Sequence, residues 1–413
     1  MDIKKVLSLL AFASVSLLGG IQAHTEDHTQ FWMKVKAAGQ FERSVVANTG
    51  VSIEAVREDF VVAIGNLEEK NTLEKMGLVE VSFPLISMMD FPAEDAPYHN
   101  YTEMLDKLRA LTTGHSAISR LSSIGKTPEG RDIWAVRISG DLASADKMPA
   151  AIFMGGHHAR EHLSIELPLY YVEYLLTEYA NGNPRIQRLV NSRDIHIIPM
   201  VNPDGAEFDI STGSYKMWRK NRSRNANGTY GVDLNRNYGY GWGGGGAGNN
   251  PNSETYRGTA AFSEPETQAI KKYVEDHQNI TMLLSFHTFS ELILYPWGNT
   301  NQSISNARDR QVHEVMAQKM AQWNGYKAQQ SAALYIASGD TTDWSYGEEK
   351  IISFTFELDP ADGPWTGSGG FYPGAKVIPE VQRKNLEPVL YMIEYADNPY
   401  RVLESGNGPI FRP

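Results

Sequence analysis

The 413-residue sequence contains no cysteine. That absence excludes disulfides, thiol nucleophiles and cysteine-based zinc sites, so any bound metal must sit on His, Asp or Glu. Basic residues are in deficit, 38 Lys and Arg against 49 Asp and Glu, for a formal net charge of -11. A nucleic-acid partner needs a basic footprint and is not expected. After the N-terminus, apolar runs are too short to span a bilayer, which takes about 18 to 20 residues. A Gly-x-Ser-x-Gly element, a Gly-x-x-x-x-Gly-Lys phosphate loop and internal repeats are likewise missing, and the Gly-rich stretch 239–253 reads as a surface loop.

The N-terminus carries Lys4 and Lys5, an apolar run from Val6 to Leu18 and small residues toward Ala23. That is the layout of a signal peptide over residues 1–23, so the mature chain is expected outside the cell or in a periplasm, without a membrane anchor. Residues from about 29 to 86 read as a small unit. "FWMKVKA", "FVVAIGN" and "LVEVSFPL" have the character of strands, and Glu42–Asn48 and Leu67–Met76 that of helices. "MMDFPAEDAPYHNY" breaks this pattern with prolines and acids and reads as an exposed linker. Residues 24–89 are thus expected to be a prosegment, 90–398 a catalytic domain and 399–413 a C-terminal tail.

From Tyr98 onward short apolar runs ("AVRIS", "AAIFM", "IHIIPMV", "ITMLLSFH", "LILYPWG", "IISFTFEL") alternate with helical patterns. This argues for an α/β fold with a mostly parallel sheet. In "SEPETQAIKKYVEDH", Ser263 and Glu266 have the spacing of a capping box, with Pro265 in the first turn.

Chemistry-bearing residues collect where three of these strands end. "AAIFMGG" leads into "HHAREH", "ITMLLSFH" ends at His287, and "IISFTFE" ends at Glu357. In α/β sheets, sites gather beyond the carboxyl ends of strands. The stretch "HHAREH" reads in two ways. In one, His158 and His162 are ligands and Glu161 is a base, the His-x-x-Glu-His pattern; in the other, His158 and Glu161 are the ligands. The first needs a helix already formed at His158. Gly155 and Gly156 suit a turn there, the apolar helical pattern starts only at Leu163, and His287 and Glu357 would be left idle. The second reading is the better supported.

At this point the chain resembles the zinc metallocarboxypeptidases of the carboxypeptidase A/B family, most of all their bacterial carboxypeptidase T branch. The matching segments are "HHAREH", "NPDGAEFDISTGSYKMWRKNRS", "GVDLNRNYGYGW", "ETYRGTAAFSEPET", "SFHTFSELILYPWG", "LYIASGDTTDWSY" and "FTFELDP", in the family's order. The resemblance implies a mixed, mostly parallel central sheet flanked by helices, preceded by a small α+β prosegment that a protease removes near Asp90. It implies one Zn2+ on His158, Glu161 and His287, Glu357 as general base, and Arg222, the second arginine of "WRKNR", as the group that stabilises the oxyanion. Asp233 would orient His158. Asn235 and Arg236 would grip the terminal carboxylate of a peptide, Tyr335 would close over it, and Arg160 would contact the substrate upstream.

The same resemblance places Asp340 and Thr342 in the specificity pocket, implying hydrophobic C-terminal residues first, with Lys and Arg tolerated. Calcium stays open as a second ion, because Glu103 in "HNYTEM" matches one ligand position of bacterial members that bind it. The acidic cluster expected after "VRISGD" is diluted to "LASADKMPA". The implied protein is a secreted monomeric zymogen acting on peptides with a free C-terminus. A peptidoglycan amidase or deacylase on the same fold is disfavoured by the intact "LNRN" and Tyr335. An inactive secreted binding protein is disfavoured by the complete ligand and base set.

Overall fold

A computed structural model describes residues 30–84, 95, 97–211, 215–361 and 370–404. The expected signal peptide and the expected cleavage point near Asp90 lie outside the described residues.

Residues 30–84 form a small α+β unit. Strands β1 (Phe31–Lys36), β2 (Ser52–Val56), β3 (Phe60–Gly65) and β4 (Val79–Pro84) make an antiparallel sheet in the order β2-β3-β1-β4. The alternating pattern of "FWMKVK" places Met33 and Val35 in a core with Val46, Val61, Ala63 and Leu73. The helix Leu67–Lys75 starts in a true capping box. Asn66 Oδ1 accepts the Glu69 N–H at 3.0 Å, and Glu69 Oε2 accepts the Asn66 N–H at 2.8 Å. Strand β2 escaped the sequence reading because "SIEAV" is short and its central Glu54 is buried.

The second unit has an eight-stranded sheet among the described residues. Its strands are β5 (Ser119–Lys126), β6 (Asp132–Ile138), β7 (Ala150–Met154), β8 (Asp194–Ile198), β9 (Ile280–Thr288), β10 (Leu292–Tyr295), β11 (Lys327–Gln330) and β12 (Ile352–Leu358), in the order β11-β10-β12-β9-β7-β8-β6-β5. Pairs among β12, β9, β7 and β8 are parallel, as is β10 with β11, whereas β10–β12, β8–β6 and β6–β5 are antiparallel. The expected mixed, mostly parallel sheet is present. β5 and β11 went unread because they lie at the sheet's edges with polar sequences, "SRLSSIGK" and "KAQQ".

Helices cover both faces, which is why β7 and β8 are buried at every position and β7 is apolar throughout. Ala151 and Phe153 point into a core shared with the helices Leu163–Ala180, Ala307–Asn324 and Ile378–Tyr395. Ala150, Ile152 and Met154 point into the opposite core, with Ile270 and Trp344. The helix predicted from "SEPETQAIKKYVED" runs Pro265–Asp276, but its N-cap is Glu264, and the Ser263–Glu266 box does not form. Glu266 instead turns inward, where its Oε2 accepts from Asn221 Nδ2 at 3.1 Å. The segment read as a tail begins with a 3-10 turn, Pro399–Leu403, that buries Pro399 and Val402. No described helix is long and apolar enough to cross a membrane.

Candidate active site

Strands β7, β9 and β12 lie side by side and parallel, so their carboxyl ends open on one cleft. After Met154 the chain turns sharply. Gly156 takes φ +66°, and a Cβ on Gly155 would lie 1.9 Å from the Ser164 carbonyl oxygen. The helix begins only at Leu163, so His158 and Glu161 sit in a loop. Their side chains meet that of His287, which ends β9. His158 Nδ1 lies 2.7 Å from Glu161 Oε1, His287 Nδ1 lies 3.0 Å from Glu161 Oε2, and the two Nδ1 atoms are 3.2 Å apart.

Among the described residues this trio forms a group of metal-type donors with ligand atoms all within 4.8 Å of one another. Two ligands on a tetrahedral ion at 2.0–2.1 Å stand about 3.3 Å apart, so the spacing of the Nδ1 atoms fits. Each imidazole uses its other nitrogen on a supporting group, as metal-binding histidines do. His158 Nε2 faces Asp233 Oδ1 at 3.2 Å, and His287 Nε2 faces Ser285 Oγ at 3.1 Å. Burial opposes ionisation of Glu161, but His158 and His287 outweigh it and hold its carboxyl below the usual range. Burial lowers the pKa of His287, keeping the imidazole neutral as a ligand must be.

The neighbouring histidines have other work. His157 stacks on His287 with ring centroids 5.4 Å apart and meets Tyr238 Oη at 2.9 Å, and burial drives its pKa well down. His162 Nε2 meets Asp209 Oδ2 at 2.9 Å.

Parallel pairing sets Glu357 of β12 beside His287 of β9. Burial raises the Glu357 pKa well above the ordinary value. Glu161 and Glu54 add to this, while Arg219 and Arg236 pull against it. Arg236 is buried in a 3-10 turn, Leu234–Arg236, with Nε donating to the Gly246 carbonyl at 2.9 Å and Nη1 to the Asn235 carbonyl at 2.8 Å. These acceptors are neutral, and among the described residues no carboxylate forms an ion pair with it. The Gly-rich stretch 239–253, read as a surface loop, thus lines the site through Gly246. Asn235 Oδ1 accepts the Thr341 N–H at 3.0 Å. Asp340 Oδ1 caps the helix Thr341–Gly347, while its Oδ2 is buried without a partner among the described residues. Burial raises its pKa. Thr342 is buried, its hydroxyl 2.5 Å from that of Thr355.

One expected residue is not brought to the site. The Arg222 guanidinium lies 3.7 Å from the Phe208 ring centroid and 4.5 Å from that of Tyr230, and its Nε is 3.5 Å from Glu129. The first arginine of "WRKNR", Arg219, stands there instead, with Nε and Nη2 each 3.0 Å from Asp233 Oδ2. Composition could not separate the two. The aromatic residues around Arg222 were visible in the sequence, but their convergence was not. Glu103, named for calcium, caps its own helix, with Oε2 accepting the Asn100 N–H at 3.0 Å.

The small unit covers this cleft. Arg160 is wholly buried, Nη2 lying 2.6 Å from Glu54 Oε1 on β2 and Nη1 lying 3.1 Å from Glu254. The Tyr335 hydroxyl is 3.5 Å from the Ile53 carbonyl oxygen. Ser253 and Thr255 hydroxyls both donate to the Gly50 carbonyl, at 2.5 and 3.0 Å. Glu54, Arg219, Ser285 and Glu254 were all missed by sequence reasoning.

A trio of two imidazoles and a carboxylate beside a glutamate of raised pKa, at the ends of parallel strands, defines a mononuclear metallohydrolase. The family model described as zinc carboxypeptidase matches residues 104–388, and the chain belongs to that family. A zinc carboxypeptidase from Saccharothrix mutabilis subsp. capreolus is 36% identical over 406 residues, covering 92% of each chain. Human carboxypeptidase A1 is 33% identical over 311 residues, covering 74% of this chain and 72% of that one. The crystal structure of the carboxypeptidase A from Helicoverpa armigera shares the fold, with a TM-score of 0.74 at 24% identity over 91% of this chain and 98% of that one. The protein is a metallocarboxypeptidase hydrolase, and zinc is the ion its His158, Glu161 and His287 are suited to hold.

Proposed function

We propose that the chain is made as an exported zymogen and, once cleaved near Asp90, removes single residues from the C-termini of peptides and proteins as a monomer. The observation that carries the exopeptidase reading is Arg236, a buried guanidinium held by two neutral carbonyls and without an ion-pair partner among the described residues. A peptide's terminal carboxylate would be that direct partner, and a guanidinium can grip it bidentately. An internal peptide bond would leave the arginine buried and unpaired, and is rejected. Asn235 and Tyr335 flank this position.

Bound zinc would supply a Lewis acid for the scissile carbonyl and lower the pKa of the attacking water. Glu357 takes the water's proton and returns it to the leaving amine, a double duty that suits a carboxyl with a raised pKa. Glu54's share of that elevation departs with the prosegment. Arg219 faces the charge that develops on the carbonyl oxygen, and Asp233 anchors both Arg219 and His158. Asp340 favours hydrophobic C-terminal side chains, because burial disfavours its charged form, and tolerates Lys or Arg, whose cation would stabilise the anion.

The zymogen reading is supported by the contacts of β2 across the cleft, and by the Saccharothrix relative's alignment over 92% of both chains. Export, to the outside or to a periplasm, rests on the layout of residues 1–23.

The test is release of C-terminal residues from a peptide panel by the cleaved enzyme, with and without a zinc chelator, beside Glu357→Gln. Chelation should abolish release. The Gln variant should keep its zinc and lose about 10² to 10⁴ in kcat. Chelator-resistant release, or a Gln variant of near-normal activity, would refute the reading.

A further inference from the structure

His162, the third histidine of "HHAREH", is buried and lies outside the group of metal-type donors formed by His158, Glu161 and His287. Its Nε2 lies 2.9 Å from Asp209 Oδ2, on the last turn of the helix Pro203–Ile210. The Asp209 carboxylate also accepts from the Trp218 backbone N–H at 2.7 Å through Oδ1 and from the Tyr372 hydroxyl at 2.6 Å through Oδ2. Trp218 immediately precedes Arg219.

The backbone ahead of Arg219 is in an unfavourable conformation. Met217 has φ +57°, a left-handed position that a residue with a side chain adopts only at a cost. Such a conformation persists only where its surroundings over-determine it. Asp209 carries the Trp218 N–H on one side, and Arg160 Nη1 holds the Met217 carbonyl at 3.1 Å on the other. The Arg219 carbonyl then accepts the Ala159 N–H at 3.0 Å. Ala159, Arg160 and His162 all belong to the loop that carries His158 and Glu161. From Arg219 the guanidinium reaches Asp233, and Asp233 reaches His158. The hydrogen bonds therefore close a ring: His158, Asp233, Arg219, Trp218, Asp209, His162 and back along the loop.

We infer that His162 and Asp209 are a positioning pair for the reaction, locking the Trp218–Arg219 backbone to the metal loop so that Arg219 stands at a set place relative to the His158–Glu161 ligands. Neither residue touches substrate. Their effect passes through Arg219, and the inference rests on the reading of Arg219 as the group that meets the developing oxyanion. A misplacement of about 1 Å in a group that acts on the transition state can cost up to about 10²-fold, and this loss falls on kcat.

The test compares His162→Phe, His162→Gln and Arg219→Ala in the cleaved, zinc-loaded enzyme. Phe keeps the ring without the donor, whereas the Gln amide places an N–H where Nε2 was. The Phe variant should lose about 10- to 100-fold in kcat, the range for removing partners that orient metal-site groups, with KM within about twofold and one zinc per chain. Gln should recover kcat to within about threefold. On the Arg219→Ala background, His162→Phe should cost nothing further.

Wild-type kcat in His162→Phe, a Gln variant as poor as the Phe variant, or an undiminished His162→Phe effect without Arg219 would each overturn the pairing. Undiminished kcat in Arg219→Ala itself would overturn the reading of Arg219 instead. Should the Phe variant not fold, His162→Asn, whose amide stops short of Asp209, takes its place in the same comparison.

Discussion

Glu54 Oε1 of the small N-terminal unit lies 2.6 Å from Arg160 Nη2 in the cleft, and both side chains are buried. Removing one partner of a buried charge pair leaves the other desolvated and costs about 2 to 5 kcal/mol. Here Glu254 still holds Arg160 at 3.1 Å, so the lower end applies. The isolated prosegment carrying Glu54→Gln should inhibit the mature enzyme at least about tenfold more weakly than the wild-type segment. Equal inhibition constants would show that the pair contributes nothing to docking.

The two arginines of "WRKNR" should separate cleanly. Arg219→Ala removes the buried cation beside Asp233 and should lower kcat by about 10² to 10³, the range for losing one oxyanion-stabilising group. Arg222→Ala removes a cation packed among Phe208, Trp218 and Tyr230. It should leave kcat unchanged while lowering stability by about 1 to 2 kcal/mol. Steady-state kinetics and thermal melts on both variants check this, and a crippled Arg222→Ala would reverse the assignment.

Asp340 presents a buried Oδ2 without a partner among the described residues. Asp340→Asn keeps the shape but cannot become an anion. The ratio of C-terminal Arg to C-terminal Leu release should fall at least about tenfold, the loss of one charge-assisted contact of about 1.5 kcal/mol or more. An unchanged ratio across the peptide panel would sink the assignment.

Docking of the small unit should weaken as pH rises. Glu69 is buried in the interface, where desolvation pushes its pKa up to about 8. Glu254 adds to the shift, and the Asn66 N–H, Ser253 and Lys220 oppose it. Once released, the carboxyl returns to about 4.3. The docked state therefore binds one more proton between these values. Docking is strongest below about pH 4.3, weakens by up to about tenfold per pH unit, and levels off above about pH 8. After cleavage, residual inhibition should be greater at about pH 6 than at about pH 8, and Glu69→Gln should flatten the slope. An equal slope in the Gln variant would place the titrating group elsewhere.

The order of helices and strands was legible wherever an element buries a face, as in "AAIFM" and "ITMLLSFH", because burial imposes an apolar pattern. It was illegible at "SRLSSIGK", "KAQQ" and "SIEAV", which bury little apolar surface or hide a charge. His158, Glu161, His287 and Glu357 could be picked out because they stand where recognisable strands end, and parallel pairing of β9 with β12 brings the last two together. The choice between His162 and Glu161 as ligand was also open to the sequence, since the helix starts only at Leu163.

Other assignments depended on the folded chain. Arg219 and Arg222 are three residues apart in one irregular segment, and no periodicity says which points toward Asp233. The left-handed turn at Met217, Asp209's hold on Trp218 and the aromatic cluster around Arg222 settle it through contacts between residues distant in sequence. Glu54 meets Arg160 across 106 positions for the same reason. Local pattern determined the strands, their ends and the ligand types in this protein. Which charge faces which was decided by tertiary packing, because a buried ion's partner is set by proximity in space and leaves no mark on the spacing of the chain.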